Sequence, residues 1–238
     1  MKRSNHILPH PSQPGTKRLR AVFVGVLFLL LILPASAQVN DFGTWWGVEI
    51  RKKFRNGIRL SLELETRLNQ NSAYLRNVYV EPGITYKPLK WLRLGLQYRF
   101  DNRYQREDSY FLQRHRISFD LQFEYTLKRF EFEYRNRTQM HWENYFDDDI
   151  SYPEMSNRNL LGINYKWPQL PFRTLLNGEL WIPLERDAWV DRFRLTVAQE
   201  VTFKTIHRIQ LRFLFQTELN ESDPTREFIL STRYAIML

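Results

Sequence analysis

Residues 58–69 read IRLSLELETRLN, and apolar and polar side chains alternate through the stretch. The even-numbered positions carry Ile58, Leu60, Leu62, Leu64, Thr66 and Leu68. The odd-numbered positions carry Arg59, Ser61, Glu63, Glu65, Arg67 and Asn69. Successive side chains of a β-strand point to opposite faces, so the stretch predicts a strand with one apolar and one polar face. An amphipathic helix would place its apolar residues at three- and four-residue steps, which are missing here.

The same alternation recurs along the chain, most clearly at 117–127 and 209–219. It predicts eleven strands, at residues 43–54, 58–69, 76–87, 91–103, 113–127, 130–142, 157–167, 172–183, 190–203, 208–219 and 226–238. These segments are longer than the roughly 5–6 residues of an average globular strand. They meet the roughly 9–11 tilted residues that a strand needs to cross a bilayer.

The connections between these strands alternate in length. Short turns lie at 56–57, 88–90, 128–129, 168–171 and 204–207, and longer polar connections lie near 70–75, 104–112, 143–156, 184–189 and 220–225. This rhythm predicts an all-β, antiparallel up-and-down transmembrane β-barrel with its short turns in the periplasm. Because bacterial barrels usually have an even number of strands, we expect ten to twelve, with twelve favoured and an additional strand sought near 39–46.

The N-terminus predicts a secretory signal peptide. Basic residues precede an apolar run at 21–33, Pro34 ends that run, and Ala35-Ser36-Ala37 forms a small-x-small cleavage site. We therefore expect residues 1–37 to be removed before Gln38, and residues 38–238 to form the barrel domain. The alternative is an uncleaved N-terminal anchor. Removal would lower the net charge from +9 to +4, so the basic isoelectric point is poor support for nucleic-acid binding.

Alternation alone leaves open whether the apolar face points into or out of the barrel. A soluble exported barrel would turn it inward and bind an apolar ligand. Three observations favour an outward apolar face. Strands such as 117–127 would send more large side chains inward than the interior can hold. The last strand, 226–238, has an apolar face that is typical of outer-membrane barrels. Finally, aromatic residues predicted to form interfacial girdles collect near strand ends: Trp45, Trp46, Tyr86, Trp91, Tyr104, Tyr110, Trp142, Tyr145, Trp167, Trp181 and Trp189.

An outward apolar face puts many charges of both signs in the lumen. They include Arg59, Glu63, Glu65, Arg67, Glu81, Arg93, Arg99, Asp101, Asp120, Glu124, Glu131, Glu133, Arg135, Arg137, Glu179, Arg192, Arg194, Glu200, Arg212 and Glu218. Buried ions must pair or stay hydrated. Two interpretations follow: a packed network of salt bridges, which we favour because so few strands enclose little free width, or a polar, water-filled path for a small solute.

Several short motifs carry a family resemblance. They are Asp41-Phe42-Gly43-Thr44-Trp45, Tyr98-Arg99-Phe100, Arg114-His115-Arg116 and Asp191-Arg192-Phe193-Arg194-Leu195. With these motifs, residues 39–238 resemble the bacterial proteins grouped as domain of unknown function 2490. The resemblance implies an outer-membrane barrel and no reaction, ligand or site, so it assigns no functional residue.

The sequence offers little support for catalysis. His115 and His141 lie toward the loop ends of adjacent predicted strands, where Ser109 or Ser118 is a possible nucleophile, whereas His207 lies in a short turn. No Gly-x-Ser-x-Gly elbow is present. We therefore predict no catalytic residue and keep a lipid-modifying barrel enzyme of the acyl hydrolase type as the alternative.

Ligand and metal motifs are also missing. The acidic run 147–149 lacks the spacing and glycine of a calcium loop, and the chain has no cysteine, zinc motif or phosphate loop. We predict no metal or cofactor and no nucleic-acid partner. The expected product is a monomeric outer-membrane barrel of Gram-negative bacteria, surrounded by outer-membrane lipids and inserted by the barrel assembly machinery. Its expected role is structural, or that of a narrow porin-like solute channel.

Overall fold

The computed structural model describes residues 41–105, 109–144, 153–184 and 190–238. Within these ranges the chain forms eleven β-strands and no helix. The strands are β1 Asp41–Lys53, β2 Ile58–Asn69, β3 Tyr74–Leu89, β4 Leu92–Gln105, β5 Tyr110–Leu127, β6 Phe130–Asn144, β7 Glu154–Lys166, β8 Phe172–Pro183, β9 Arg192–Phe203, β10 His207–Glu218 and β11 Arg226–Met237. Each overlaps one of the eleven predicted strands. No helix among the described residues is long and apolar enough to cross a membrane.

The strands close into a single barrel in which each strand pairs with its neighbour in the sequence. Ten of the pairings are antiparallel, as predicted, whereas β1 and β11 close the barrel as a parallel pair from Asp41↔Glu227 to Arg51↔Met237. The strand count explains the difference. With an odd number of alternating strands, the first and last run in the same direction, so only a parallel ladder can join them.

The preference for twelve strands is wrong, although the all-β barrel of ten to twelve strands is confirmed. Residues 41–46, within the region where an additional strand was sought, belong to β1. Within the described ranges, the eleven strands complete the closed ladder without another partner.

The two ends of the barrel differ in their connections. On one end, here called the turn side, the connections are 54–57, 90–91, 128–129, 167–171 and 204–206. On the opposite end, the loop side, β2, β4, β6, β8 and β10 end and the strands that follow them begin. At residues 54–57 the chain turns through Gly57, whose φ is +82°, a conformation that favours glycine. Because the strand number is odd, β1 begins on the loop side and β11 ends on the turn side.

The apolar side chains point outward and the charged ones inward. Leu62 and Leu64 are about half exposed, whereas Glu63 and Glu65 between them are buried. Large apolar side chains are exposed on the outside of β1 to β10, among them Val48, Leu96, Phe119, Leu161, Leu176, Leu195 and Leu211. The predicted outward apolar face is therefore confirmed, and the polar interior does not suit the apolar ligand that the soluble alternative requires.

Two of the aromatic residues assigned to girdles lie inside the barrel instead. Trp45 and Trp181 are buried in the lumen, whereas their girdle companions Trp46 and Trp91 are at least half exposed on the outside. Alternation is the reason, because the adjacent Trp45 and Trp46 must point to opposite faces. Two further girdle candidates lie outside the described residues: Tyr145 and Trp189.

Candidate functional site

The lumen holds a cavity of about 990 Å³ that is lined by side chains from all eleven strands. In the part of the chain that the structure describes, thirteen arginines and eight carboxylates line it, and no lysine does. The arginines are Arg67, Arg76, Arg99, Arg103, Arg114, Arg116, Arg135, Arg137, Arg158, Arg192, Arg194, Arg212 and Arg233. The carboxylates are Glu49, Glu63, Glu81, Asp101, Glu154, Glu179, Asp191 and Glu218. A polar cavity of this size is suited to hold water, which keeps such charges hydrated.

The most buried charge in the lumen is Glu65, whose side chain is 0% exposed. Its carboxylate accepts hydrogen bonds from Arg67 at 2.8 Å, Arg212 at 3.1 Å and Arg233 at 3.1 Å. The arginines belong to β2, β10 and β11, so this Glu65 cluster ties the barrel together on both sides of β1. Gly47 on β1 leaves room for the contact between Glu65 and Arg233, because it lies between these two residues in the sheet and has no side chain. A Cβ at Gly47 would lie 3.3 Å from Glu65 Oε2.

A second carboxylate collects arginines on the opposite wall. Glu179 on β8 lies 2.8 Å from Arg135, 2.7 Å from Arg158 and 3.9 Å from Arg194. Other carboxylates in the lumen bind arginines from the adjacent strand or from the strand beyond it: Arg99 and Arg116 with Glu81, Arg137 with Asp120, and Arg173 with Glu131. The interior is thus a charged network that links strands beyond the backbone ladder, and it surrounds the cavity rather than filling the whole lumen.

Aromatic rings that point into the lumen form cation–π contacts with three of the arginines. Arginine guanidinium carbons lie over ring centroids at 3.9 Å (Arg67 over Trp45), 4.2 Å (Arg158 over Trp181) and 3.4 Å (Arg99 over Tyr79). Desolvated cation–π contacts contribute about 2 kcal/mol each. Trp45 also packs with Leu214 and Ile229 in a small apolar cluster inside the lumen.

Arginines exceed their carboxylate partners in the lumen. Arg103 on β4 has no carboxylate within salt-bridge distance among the described residues. Four further carboxylates bond arginines of the cavity, namely Glu65, Asp120, Glu143 and Glu227, which brings the carboxylates to twelve against thirteen arginines. This part of the lumen therefore carries a small excess of positive charge.

The candidate catalytic residues do not form a triad. His115 faces outward, where Tyr98 Oη lies 2.7 Å from its Nδ1 and Trp142 stacks on its ring. His141 faces the lumen, with Nε2 3.1 Å from Glu154. The two histidines lie on adjacent strands, as predicted, but on opposite faces of the sheet.

The candidate nucleophiles Ser109 and Ser118 are not placed for catalysis either. Ser118 is buried in the lumen opposite Gln139, and its Oγ has no hydrogen-bond partner among the described residues. Ser109 lies in the turn before β5, and His207 begins β10 with Nδ1 2.6 Å from Tyr234 Oη. A Ser–His mechanism needs the two side chains in hydrogen-bond contact, so this geometry gives it no support.

Metal binding likewise finds no support in the described part of the chain, where no three His, Asp or Glu side chains could hold an ion together. The acidic run 147–149 lies outside the described residues.

The outer face of the barrel also carries one polar cluster that the sequence did not lead us to predict. The amides of Asn136, Asn157 and Asn159 bond one another at 2.8–2.9 Å, and Tyr134 and Thr138 complete the group. All five side chains lie on the outward face of β6 and β7, where the rest of the surface is apolar. A signal was present, because each asparagine occupies a position whose alternation predicts an apolar residue.

Comparison with known proteins supports the architecture. No curated protein matches the sequence. Among solved structures, a bacterial polysaccharide outer membrane secretin matches with a TM-score of 0.50 and 10% identity, over 74% of this chain and 63% of that chain. The beta domain of the Bordetella autotransporter Brka matches with a TM-score of 0.48 and 8% identity, over 74% of this chain and 82% of that chain.

The barrel thus spans less than two thirds of the secretin chain, and the likeness concerns the fold alone. The family described as "Protein of unknown function (DUF2490)" matches residues 42–227, from the start of β1 to the start of β11. The match agrees with the resemblance drawn from the sequence motifs. The chain belongs to the DUF2490 family.

Proposed function

We propose that this chain is an integral outer-membrane β-barrel whose narrow, hydrated lumen passes small anionic solutes. The observation that carries the proposal is the cavity of about 990 Å³, which side chains of all eleven strands line and in which arginine predominates. A purely space-filling interior would leave no continuous polar cavity of this volume.

The outer surface supports a position in the membrane. Strands of 12–18 residues exceed the roughly 9–11 residues required to cross a bilayer with tilt. Their outward faces expose leucine, isoleucine and phenylalanine, whose burial in lipid contributes about 25 cal/mol per Å². The fold shared with an outer-membrane secretin points to the same membrane. Residues 1–37 would direct export, the assembly machinery would insert the barrel as a monomer, and the turn side would face the periplasm.

The charge balance of the lumen supports a preference for anions. Most carboxylates of the network already have an arginine within salt-bridge distance, whereas Arg103 on the loop-side half of β4 lacks a salt bridge among the described residues. A path with fixed excess positive charge concentrates anions and repels cations.

Planar-bilayer recording tests the proposal. The purified barrel should produce small single-channel conductances, and a KCl gradient should give a reversal potential with the sign of anion preference. Arg103→Glu should lower the anion-to-cation permeability ratio at least twofold. Lys128→Glu, the same charge reversal in a short turn away from the cavity, should leave the ratio unchanged.

The second candidate is a structural, non-conducting barrel. The Glu65 cluster favours it, because its salt bridges connect strands on both sides of β1. A folded barrel that passes no ions in bilayers would contradict the solute path and leave the structural role.

A further inference from the structure

A second cavity of about 390 Å³ opens at the turn side of the barrel. It lies between the turn 54–57 and the connection from β3 to β4. Among the described residues, six cationic side chains and no acidic one line it: Lys53, Arg55, Arg59, Lys87, Lys90 and Arg93. The charge of this pocket therefore differs from that of the lumen, where carboxylates alternate with arginines.

Neighbouring carboxylates neutralise only part of the positive charge of this pocket. Lys87 and Arg93 share one carboxylate behind them, Glu124, at 2.5 and 2.7 Å. Arg59 has no carboxylate within 4.0 Å among the described residues, and its Nε is buried without a hydrogen-bond partner.

The charged neighbours of Arg59 add to the excess. Arg51, Arg93 and Arg208 repel it, and each of them already has a carboxylate of its own: Glu49, Glu124 and Glu200 respectively. Glu124 attracts Arg59 from beyond salt-bridge distance. An unpaired guanidinium in a partly buried position is costly unless an anion from outside completes it.

The backbone holds this pocket in shape. Gly57 brings the turn so close to β3 that a Cβ at this position would meet Lys87 O at 2.9 Å. Lys87 N–H donates to Gly57 O at 3.1 Å and fixes the two segments together. The cations are therefore gathered by the sheet and its turns, and their spacing does not depend on a ligand.

We propose that this turn-side pocket binds a phosphate group, with Arg59 as its central ligand. A guanidinium offers a planar fork of N–H donors that matches two phosphate oxygens, and lysine ammonium groups add point charges around the remaining oxygens. The inference is independent of the proposed function, because binding at equilibrium requires no passage through the lumen. Two sources share this chemistry: free phosphate, and the phosphate of a lipid headgroup in the adjacent leaflet.

Two binding measurements on the detergent-purified full barrel separate these sources. The first is calorimetric titration with inorganic phosphate, in which one saturable site per barrel is expected. The second is incorporation into phosphatidylcholine nanodiscs that contain phosphatidylglycerol, followed by measurement of the phosphatidylglycerol retained by each barrel. In the arm that shows binding, Arg59→Gln should weaken it at least tenfold.

Two double variants control for folding and for bulk charge. Arg55→Gln with Lys90→Gln removes two exposed turn cations of the pocket and should weaken binding severalfold without harming the fold. Lys128→Gln with Lys204→Gln removes the same charge from other turns and should change nothing. Arg59-dependent binding of inorganic phosphate assigns a free-phosphate site, and Arg59-dependent retention of phosphatidylglycerol alone assigns a headgroup site. Binding in neither arm, or equal loss in the Lys128/Lys204 control, would overturn the proposal.

Discussion

Replacing Glu65 with glutamine tests the claim that the charged interior holds the barrel closed. The change keeps the size of the side chain and removes the charge that three arginines share. Removing one partner of a buried ion pair typically costs about 3–5 kcal/mol. Each arginine retains another contact: Arg67 over Trp45, Arg212 with Ser231, and Arg233 with Glu63. We therefore expect the lower end of the range, about 3 kcal/mol.

The assay is urea unfolding of the barrel in phospholipid vesicles, followed by tryptophan fluorescence and by heat-dependent gel mobility. With an m-value of about 1–3 kcal/mol per molar urea, the midpoint should fall by about 1–3 M. Glu154→Gln is the matched control, because that carboxylate is 66% exposed and pairs only with His141 in the described residues. Its loss should cost less than about 1 kcal/mol. Equal midpoints for the two variants would refute the reasoning.

Three further substitutions should lower the same unfolding midpoint. Gly47→Leu would place a side chain between Glu65 and Arg233, which lie 3.3 and 3.6 Å from a Cβ at this position. It should lower the free energy of unfolding by about 1–3 kcal/mol. An unchanged midpoint would show that the Glu65 cluster does not need the space that glycine leaves. Leu64→Arg puts a charge near the middle of the outward face of β2 and should cost about 2–4 kcal/mol, unless that face does not contact lipid. Asn157→Leu breaks the outer amide cluster and should cost about 1 kcal/mol, whereas a stabilised variant would mean that the amides are not coupled.

The period of two in the sequence predicted most of the fold. Strand positions, the alternation of turns and loops, and the inward charges all follow from the pleat, because it fixes the face of every residue once one is known. The alternation at Val48 and Ile50 even places Trp46 outward and Trp45 inward. Two adjacent tryptophans near the strand end resemble a girdle, and this resemblance outweighed the alternation in the prediction for Trp45.

Closure and pairing were harder to predict, since they depend on the whole ring of strands. Alternation is the same for an odd and an even barrel, so it carries no information about a parallel β1–β11 seam. The arginine partners of Glu65 come from strands far apart in the sequence, and the isolation of Arg59 appears only when its neighbours' salt bridges are known. Sequence adjacency also suggested that His115 and His141 share a site, but strand register places them on opposite faces.

Cysteine accessibility at two adjacent residues tests the central claim most directly: an apolar face toward lipid around a hydrated lumen. The chain contains no cysteine, so Ser61→Cys and Leu62→Cys each introduce a single thiol. Ser61 lines the lumenal cavity and Leu62 is exposed on the outer face. In lipid vesicles, a small water-soluble maleimide should label Cys at position 61 and leave position 62 unreacted. Labelling at position 62 with protection at position 61 would contradict the account.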